Sequence, residues 1–253
     1  MTPREDLQRS GAAIRKQLGF PPVAPETELA PGLNQLSTEM VFASVWARPG
    51  LGMEDRMLAT LAALTSVQYL PQLRRYVGAA LHIGLPARTI QEVIIHCGIY
   101  AGFPSILNSL AVANEVFAEQ GVEVPDDDMP NPDADALAQL GNQVMTDLHG
   151  ARSTLGYADP DNPAAEIYRV AVDYGYGDIW NRPGLNRRQR LICALAAFTA
   201  LQMTSQVVKF SQAALNTDLT KTEITEAISQ TAPYAGFPKA LNAFAALAEV
   251  IDG

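Results

Sequence analysis

Two cysteines, three histidines and 7% aromatic residues among 253 leave little material for several kinds of chemistry. Cys97 and Cys193 are too few for a disulfide framework or a four-ligand zinc site. No two of His82, His96 and His149 stand three or four residues apart, and no carboxylate joins them in a ligand pattern, so no metal site is expected. Basic residues are also scarce: 18 Lys and Arg against 27 Asp and Glu give a formal charge of −9. That balance repels nucleic-acid phosphates and anionic lipid, and it leaves small-molecule chemistry as the default. The longest apolar runs, Met57 to Val67 and Leu191 to Leu201, fall well short of the roughly 20 residues of a membrane span. The charged opening, Met-Thr-Pro-Arg-Glu-Asp, does not read as a signal peptide, and the expected location is cytoplasmic. Glycine-rich phosphate cradles and Gly-x-Ser-x-Gly elbows are missing as well.

What the chain does contain is a duplication. Trp46 to Ala113 matches Trp180 to Leu247 without a gap, and about 27 of 68 positions are identical. Shared residues include Arg48-Pro49-Gly50-Leu51 with Arg182-Pro183-Gly184-Leu185, Arg56 with Arg190, Gln68 with Gln202, Glu92 with Glu226, and Tyr100 to Pro104 with Tyr234 to Pro238. The leading segments Leu7–Leu18 and Leu137–Leu148 also correspond, each with a glycine in its first half. The Pro- and Asp-rich stretch Gly121–Asp133 reads as an exposed connection, dividing the chain into units 1–125 and 126–253.

The periodicity is helical throughout. Asp55–Val67 carries apolar residues at nearly every turn and suits a helix buried on most sides. Pro71 is tolerated in the first turn of a helix running to about Ile83, with Gly84 as its stop. Pro86 opens a third helix, and Gly102 and Pro104 end it and begin a fourth that continues to about Glu119. No run alternates with period two, so the expected fold is all-α, with two similar helical units packed as a pseudo-dimer.

Candidate site residues follow from side-chain type and spacing. Glu92, His96 and Tyr100 lie at i, i+4 and i+8 on one helix stripe, where a carboxylate can orient an imidazole and raise its pKa into the range of a general acid. A structural cluster at a helix end is the alternative, because Glu92 and Tyr100 recur as Glu226 and Tyr234. His96 does not recur; its counterpart is Gln230. Arg56 and Arg190 open their helices against the dipole, which suggests either an ion pair between the units or a clamp on a carboxylate. Arg74 and Arg75 face solvent or attract an anionic substrate. His82 and His149 sit near helix ends, where the dipole alone accommodates them. Cys97 and Cys193 read as inert core thiols, with no companion cysteine expected beside either.

Taken together, Arg56 at the head of an Ala/Leu-rich helix, Ala79-Ala80-Leu81-x-x-Gly84, and Glu92-x-x-x-His96-x-x-x-Tyr100-Ala-Gly-Phe-Pro104 resemble the carboxymuconolactone decarboxylase family, within the alkylhydroperoxidase-D-like superfamily. The resemblance covers both units. It implies an α-helical fold, assembly into trimers or hexamers, and active sites near subunit contacts, so a homo-oligomer is expected. The peroxidase branch uses Cys-x-x-Cys-x-x-x-His with a preceding Glu. Aligned on Ala80-Leu81-x-x-Gly84, those positions hold Tyr69, Gln72 and Tyr76 here, and Met203, Gln206 and Phe210 in the second unit. Met57 and Leu191 replace the Glu, so a thiol peroxidase is disfavoured.

Decarboxylase relatives usually carry a His where Tyr76 and Phe210 stand. The resemblance therefore implies a cofactor-independent lyase acting on a small carboxylated lactone, enoate or cyclic ketone, with its site in the first unit. His96, Tyr76 and Glu92 are the candidate catalytic groups; Arg74, Arg75, Gln68, Gln72, His82 and Tyr100 are the candidate substrate-binding groups. An isomerase, cyclase or hydrolase-like activity, with Tyr76 and His96 exchanging a proton, is the first alternative. A non-catalytic ligand-binding or assembly protein is the second.

Overall fold

A computed structural model describes residues 3–23, 28–124 and 129–251. The first unit contains α1 (Arg4–Gln17), α2 (Leu33–Ser37), α3 (Met53–Val67), α4 (Leu70–His82), α5 (Ala87–Ala101) and α6 (Phe103–Glu119). The second contains α7 (Ala134–His149), α8 (Ala165–Val170), α9 (Arg187–Ala200), α10 (Thr204–Leu215), α11 (Lys221–Ala235) and α12 (Phe237–Ile251). No strand occurs among the described residues. The division between residues 125 and 126 lies outside them; α6 ends at Glu119 and α7 begins at Ala134.

The helix boundaries follow the punctuation. Pro71 sits in the first turn of α4, and Gly102 separates α5 from α6 with φ of 94°. Every residue from Arg56 to Ser66 in α3 and from Arg190 to Ala200 in α9 is buried. Alanine and leucine on every face leave such a helix no polar side to turn outward. The two helices pack against each other at the centre of the molecule. α5 and α11 each touch both of them, while α4 and α6, and α10 and α12, lie outside. Aligned repeats thus become a pseudo-two-fold interface whose core runs through both units without a break.

Two features were not legible as periodicity. Thr38–Trp46 and Ala171–Asp178 wind with the wider π spacing at equivalent places in the two units, and they pack beneath α1 and α7 respectively. The glycine shared by the leading helices explains the fit. A Cβ on Gly11 would stand 2.1 Å from the Thr38 carbonyl oxygen, and one on Gly141 would stand 2.4 Å from that of Val172. Only a residue without a side chain lets the backbones cross so closely.

Apolar residues left outside also repeat. Phe103 and Leu107 are matched by Phe237 and Leu241, and Leu33 and Leu36 by Ile167 and Val170, all of them exposed.

Gly11→Ala is expected to lower the unfolding free energy by about 1–3 kcal/mol, through overpacking against Thr38. A Cβ on Gly78, also inside a helix, would meet the movable end of Gln120 at 3.1 Å and Val116 at an ordinary 4.0 Å. Gly78→Ala should therefore be neutral or stabilising, by up to about 1 kcal/mol of helix propensity. Denaturant midpoints compare the two; equal effects would contradict the crossing geometry.

Candidate active site

The repeated Arg-Pro-Gly-Leu loops reach across the pseudo-two-fold interface. Gly50 adopts φ of 96° and Gly184 of 97°. A Cβ on Gly50 would meet Thr222 at 2.7 Å, and one on Gly184 would meet Arg88 and Glu92 at 3.0 Å. Each loop therefore lays its backbone directly on the glutamate-bearing helix of the other unit. Arg48 then closes on Glu226 with contacts of 2.6–3.0 Å, and Arg182 on Glu92 with contacts of 3.0–3.1 Å. Arg56 adds a 2.8 Å bond to Glu226, and Arg190 approaches Glu92 at 3.6 Å. Of the two readings of Arg56 and Arg190, the ion pair between units is the one found.

These pairs divide the polar interior into two composite clusters, each built from both units. In the first, Arg56 also donates to Gln230 at 3.0 Å, and Gln230 donates to Thr60 at 3.1 Å. Alongside runs a chain of rings. Trp46 Nε1 donates to the Tyr234 hydroxyl at 2.6 Å, and Tyr234 donates to the Tyr76 hydroxyl at 2.6 Å. Indole can only donate, the Tyr234 hydroxyl accepts from it and donates onward, and the Tyr76 proton has no acceptor among the described residues. Burial pushes the Tyr76 phenol up to about 12, against the lowering effects of the Tyr234 hydrogen bond, Arg75 and Arg15. Tyr234 is raised further by burial and by its neighbour Tyr76.

The second cluster holds His96, fully buried. Its Nε2 lies 3.1 Å from the Arg190 carbonyl and 3.3 Å from the Tyr100 hydroxyl, while Nδ1 faces Arg190 Nη1 at 3.4 Å. The network assigns the Nε2–H tautomer, with Nδ1 accepting. Burial first, and the Arg190 charge second, hold the imidazole well below its ordinary pKa. The rise expected from Glu92 does not occur, because Arg182 and Arg190 capture that carboxylate and Arg190 presents its own positive charge to His96.

The candidate residues thus separate. Glu92, His96 and Tyr100 belong to the second cluster and Tyr76 to the first, with no shared partner, so Tyr76 and His96 are not placed to exchange a proton. Gln68, with φ of 58°, bonds to Thr65, Ser105 and Ser109 and ties the α3–α4 corner to α6. Gln202 repeats that conformation with φ of 61°, so the recurrence of this glutamine reflects a corner. Gln72 is exposed at the same end.

Arg74, Arg75 and His82 do meet. They line a cleft of about 690 Å³ with Phe20 and Glu119. Arg74 is neutralised there by Glu115 at 2.7 Å and by Glu119. Arg75 stands over the Phe20 ring at 5.3 Å, and Arg15 approaches the same ring at 5.9 Å. Phe20 in turn packs edge-on against Tyr76, with centroids 5.4 Å apart. Two cations therefore flank the ring that covers the Tyr76 phenol. Sequence reasoning missed Arg15 and Phe20, which lie outside the clean repeat, and Tyr234, whose partnership with Tyr76 crosses 158 residues. The cysteines also meet, Cys97 Sγ lying 4.0 Å from the Cys193 carbonyl; both are buried, and burial raises the Cys97 thiol.

The sequence profile of the Carboxymuconolactone decarboxylase family matches twice, over residues 31–115 and 165–249. A 4-carboxymuconolactone decarboxylase of Acinetobacter baylyi is 33% identical over 85 residues, which are 34% of this chain and 63% of that protein. An uncharacterized 15.0 kDa protein of Paracoccus denitrificans is 35% identical over 98 residues, 38% of this chain and 73% of its own length. A nitrosuccinic acid decarboxylase of Metarhizium robertsii is 31% identical over 82 residues, 32% and 57% of the two chains. The two decarboxylases are thus each spanned over less than two thirds of their length.

The inter-unit pairs predict an acid limit to stability. Burial tends to raise Glu226, but its bonds to Arg48 and Arg56 outweigh that and leave it below the ordinary carboxylate range. A carboxyl depressed in the folded state contributes stability above its unfolded pKa of about 4.3, and loses it as pH falls through the folded value. Glu226→Gln should cost about 3 kcal/mol at pH 7, since it strands the buried Arg56 guanidinium, and should flatten the loss of stability below about pH 4. Urea titrations at pH 3 and 7 measure both effects.

Proposed function

The chain belongs to the carboxymuconolactone decarboxylase family, and from that premise we propose a cofactor-independent decarboxylase-like enzyme for a small carboxylated lactone, enoate or cyclic ketone, working in the first-unit cleft. The observation that carries the reading is the hydrogen-bonded chain Trp46, Tyr234, Tyr76, which ends on a phenol packed against the Phe20 ring that Arg15 and Arg75 flank. Arg75 and Arg15 draw the substrate carboxylate into an otherwise acidic protein, and Phe20 turns aside to admit it. The bond from the ring carbon to the carboxylate breaks, carbon dioxide leaves, and the electron pair passes into the adjacent carbonyl as an enolate. Tyr76 then delivers its proton to carbon. The resulting phenolate is stabilised by the hydrogen bond from Tyr234 and is reprotonated from water through the cleft.

A phenol near 12 is matched to such a transfer, because it keeps its proton at neutral pH and surrenders it only to a strong carbon base. Glu92, His96 and Tyr100 serve in this reading as the joint between units, and their counterparts Glu226 and Tyr234 support the site from the other side. Arg74, paired with two glutamates, shapes the wall of the cleft.

Tyr76→Phe, which copies Phe210 of the second unit and should therefore fold, is expected to lower kcat by about 100-fold or more. Arg75→Ala should raise KM by about tenfold with a smaller change in kcat. His96→Gln, which copies Gln230, should leave turnover within about threefold. Carbon dioxide release from a panel of small carboxylated lactones, enoates and cyclic ketones provides the assay. Full activity in Tyr76→Phe would remove the proton-donor role, and loss of activity in His96→Gln alone would restore the opposite cluster.

Assembly belongs to the same proposal. The exposed apolar pairs Phe103 and Leu107, Phe237 and Leu241, present one surface twice about the pseudo-axis, as a closed homo-oligomer requires. Sedimentation equilibrium at micromolar concentration should give a mass at least twice 27.2 kDa; a monomer throughout would refute it.

A further inference from the structure

The cleft that holds Arg75 and His82 is built a second time, between the end of α7 and α10. It encloses about 190 Å³ lined by His149, Arg152, Lys209, Gln212 and Asn216, with Leu148 and Ala213 behind. Leu18, Arg75, Ala79 and His82 of the first cleft correspond in order to Leu148, Lys209, Ala213 and Asn216. One exchange between them is informative. In the first unit the imidazole comes from α4: His82 lies against Gly19, where an added Cβ would come within 2.5 Å of the ring. In the second unit the position matching Gly19 is His149, and Asn216 stands opposite. Both copies thus keep an imidazole and a cationic side chain in the same hollow, although the imidazole is supplied from opposite walls.

Nothing inside neutralises this second cluster. Neither Lys209 nor Arg152 has a carboxylate partner among the described residues, and His149 Nε2 is buried without a hydrogen-bond partner. The charged and titratable groups facing His149 are Lys209 from α10, Arg152 from the turn after α7, and Tyr176, whose ring lies 6.2 Å away. Phe210 closes the fourth side at 5.1 Å. Burial, then Lys209 and Arg152, push the imidazole down to about 4, and burial with Arg152 lowers Lys209 as well. Two cationic side chains and a buried, unpartnered imidazole nitrogen gathered in one cleft, in a chain of charge −9, describe a site short of an anion.

We propose that the cleft between α7 and α10 is a second binding site, which takes a small oxyanion, a carboxylate or phosphate, on Lys209, Arg152 and His149, with the amides of Gln212 and Asn216 as further donors. Phe210 stands where the first unit has Tyr76, so no phenol proton is available and the bound anion is held without being transformed. The site is independent of the reaction assigned to the first unit.

The three histidines give a direct readout, because each reports one place: His82 the first cleft, His149 the second, and His96 the buried joint. Imidazole NMR signals of the full chain, assigned with His149→Gln and His82→Gln, are followed during additions of inorganic phosphate and, separately, succinate at constant chloride ionic strength. The His149 signal is expected to shift saturably with one or both probes, with half-saturation in the millimolar range or below, and its titration midpoint to rise from about 4 when the anion is bound. The probe that saturates at the lower concentration identifies the anion type. Lys209→Gln and Arg152→Gln should each weaken the response about tenfold or more while leaving the His82 response unchanged. A His149 signal unmoved by either probe up to about 50 mM would overturn the proposal. So would a shift that survives in both variants. Failure of the first-unit reading appears instead in the His82 signal and in turnover.

Discussion

Two buried glutamates decide how this molecule is put together. Each lies on a helix of one unit and takes its closest ion pairs from arginines of the other, with Arg88 of the same helix at 4.0 Å from Glu92. A carboxylate and a guanidinium taken out of water cost several kcal/mol apiece unless their geometry is close and their remaining lone pairs and protons are used. Here the bidentate forks of Arg48 and Arg182 supply the geometry, and Arg56 and Arg190 each place an Nη donor on the Arg48 and Arg182 carbonyls at 2.7 and 2.6 Å, while the Nε of both stays buried without a hydrogen-bond partner among the described residues. The Ala/Leu helices α3 and α9 bring apolar area to the same interface, but such surface is tolerant of rotation and sliding. The ion pairs fix which rotation is used, and with it the positions of Tyr76, Tyr234, His96 and Tyr100.

Duplication allowed the two copies of this interface to diverge in a controlled way. Beyond the common Glu–Arg pair, one cluster continues through Gln230, Thr60 and the ring chain to a phenol, and the other through His96 to Tyr100. A glutamine and a neutral histidine are interchangeable here because each presents one acceptor to a guanidinium and keeps one donor for an oxygen, the Thr60 hydroxyl for Gln230 and the Arg190 carbonyl for His96. That equivalence explains why His96 stands out in the sequence while behaving in the structure as a satisfied core residue. Tyr76 and Phe210 differ in the reverse manner, nearly equal in shape but unequal in the proton they carry.

Much of the architecture was legible because it rests on local rules. Pro71, Gly84, Pro86, Gly102 and Pro104 punctuate helices by fixing or freeing φ, and the apolar residues at nearly every turn of Asp55–Val67 announce a central helix. The repeat supplied the pseudo-dimer. What could not be read was the pairing across it. Glu92 and His96 look like partners at one helical turn, yet the arginine that separates their roles enters from 90 residues or more away. The π-wound stretches leave no period of their own in so few residues. Phe20 and Arg15 escaped because they lie before the gap-free repeat, where the offset between the units changes and Arg15 and Phe20 have no like residue in the second unit. Arg74, Arg75 and His82 were found by charge and composition, which survive as signals even when the geometry is unknown.

The crossed loops also bear on how the chain is made. Arg56 is buried with Glu226 as its carboxylate, and that residue is translated 170 positions later. Until then Arg56 has no carboxylate to pair with and the apolar face that α9 covers is open, the condition in which folding intermediates associate with the wrong neighbour. The second unit meets no such delay, since Glu92 and the rest of the first unit are already present when Arg182 and Arg190 emerge. Synthesis is therefore asymmetric even though the product is nearly symmetric. The arginine of the first half waits for its carboxylate while those of the second do not, and both ion clusters close through contacts remote in the chain.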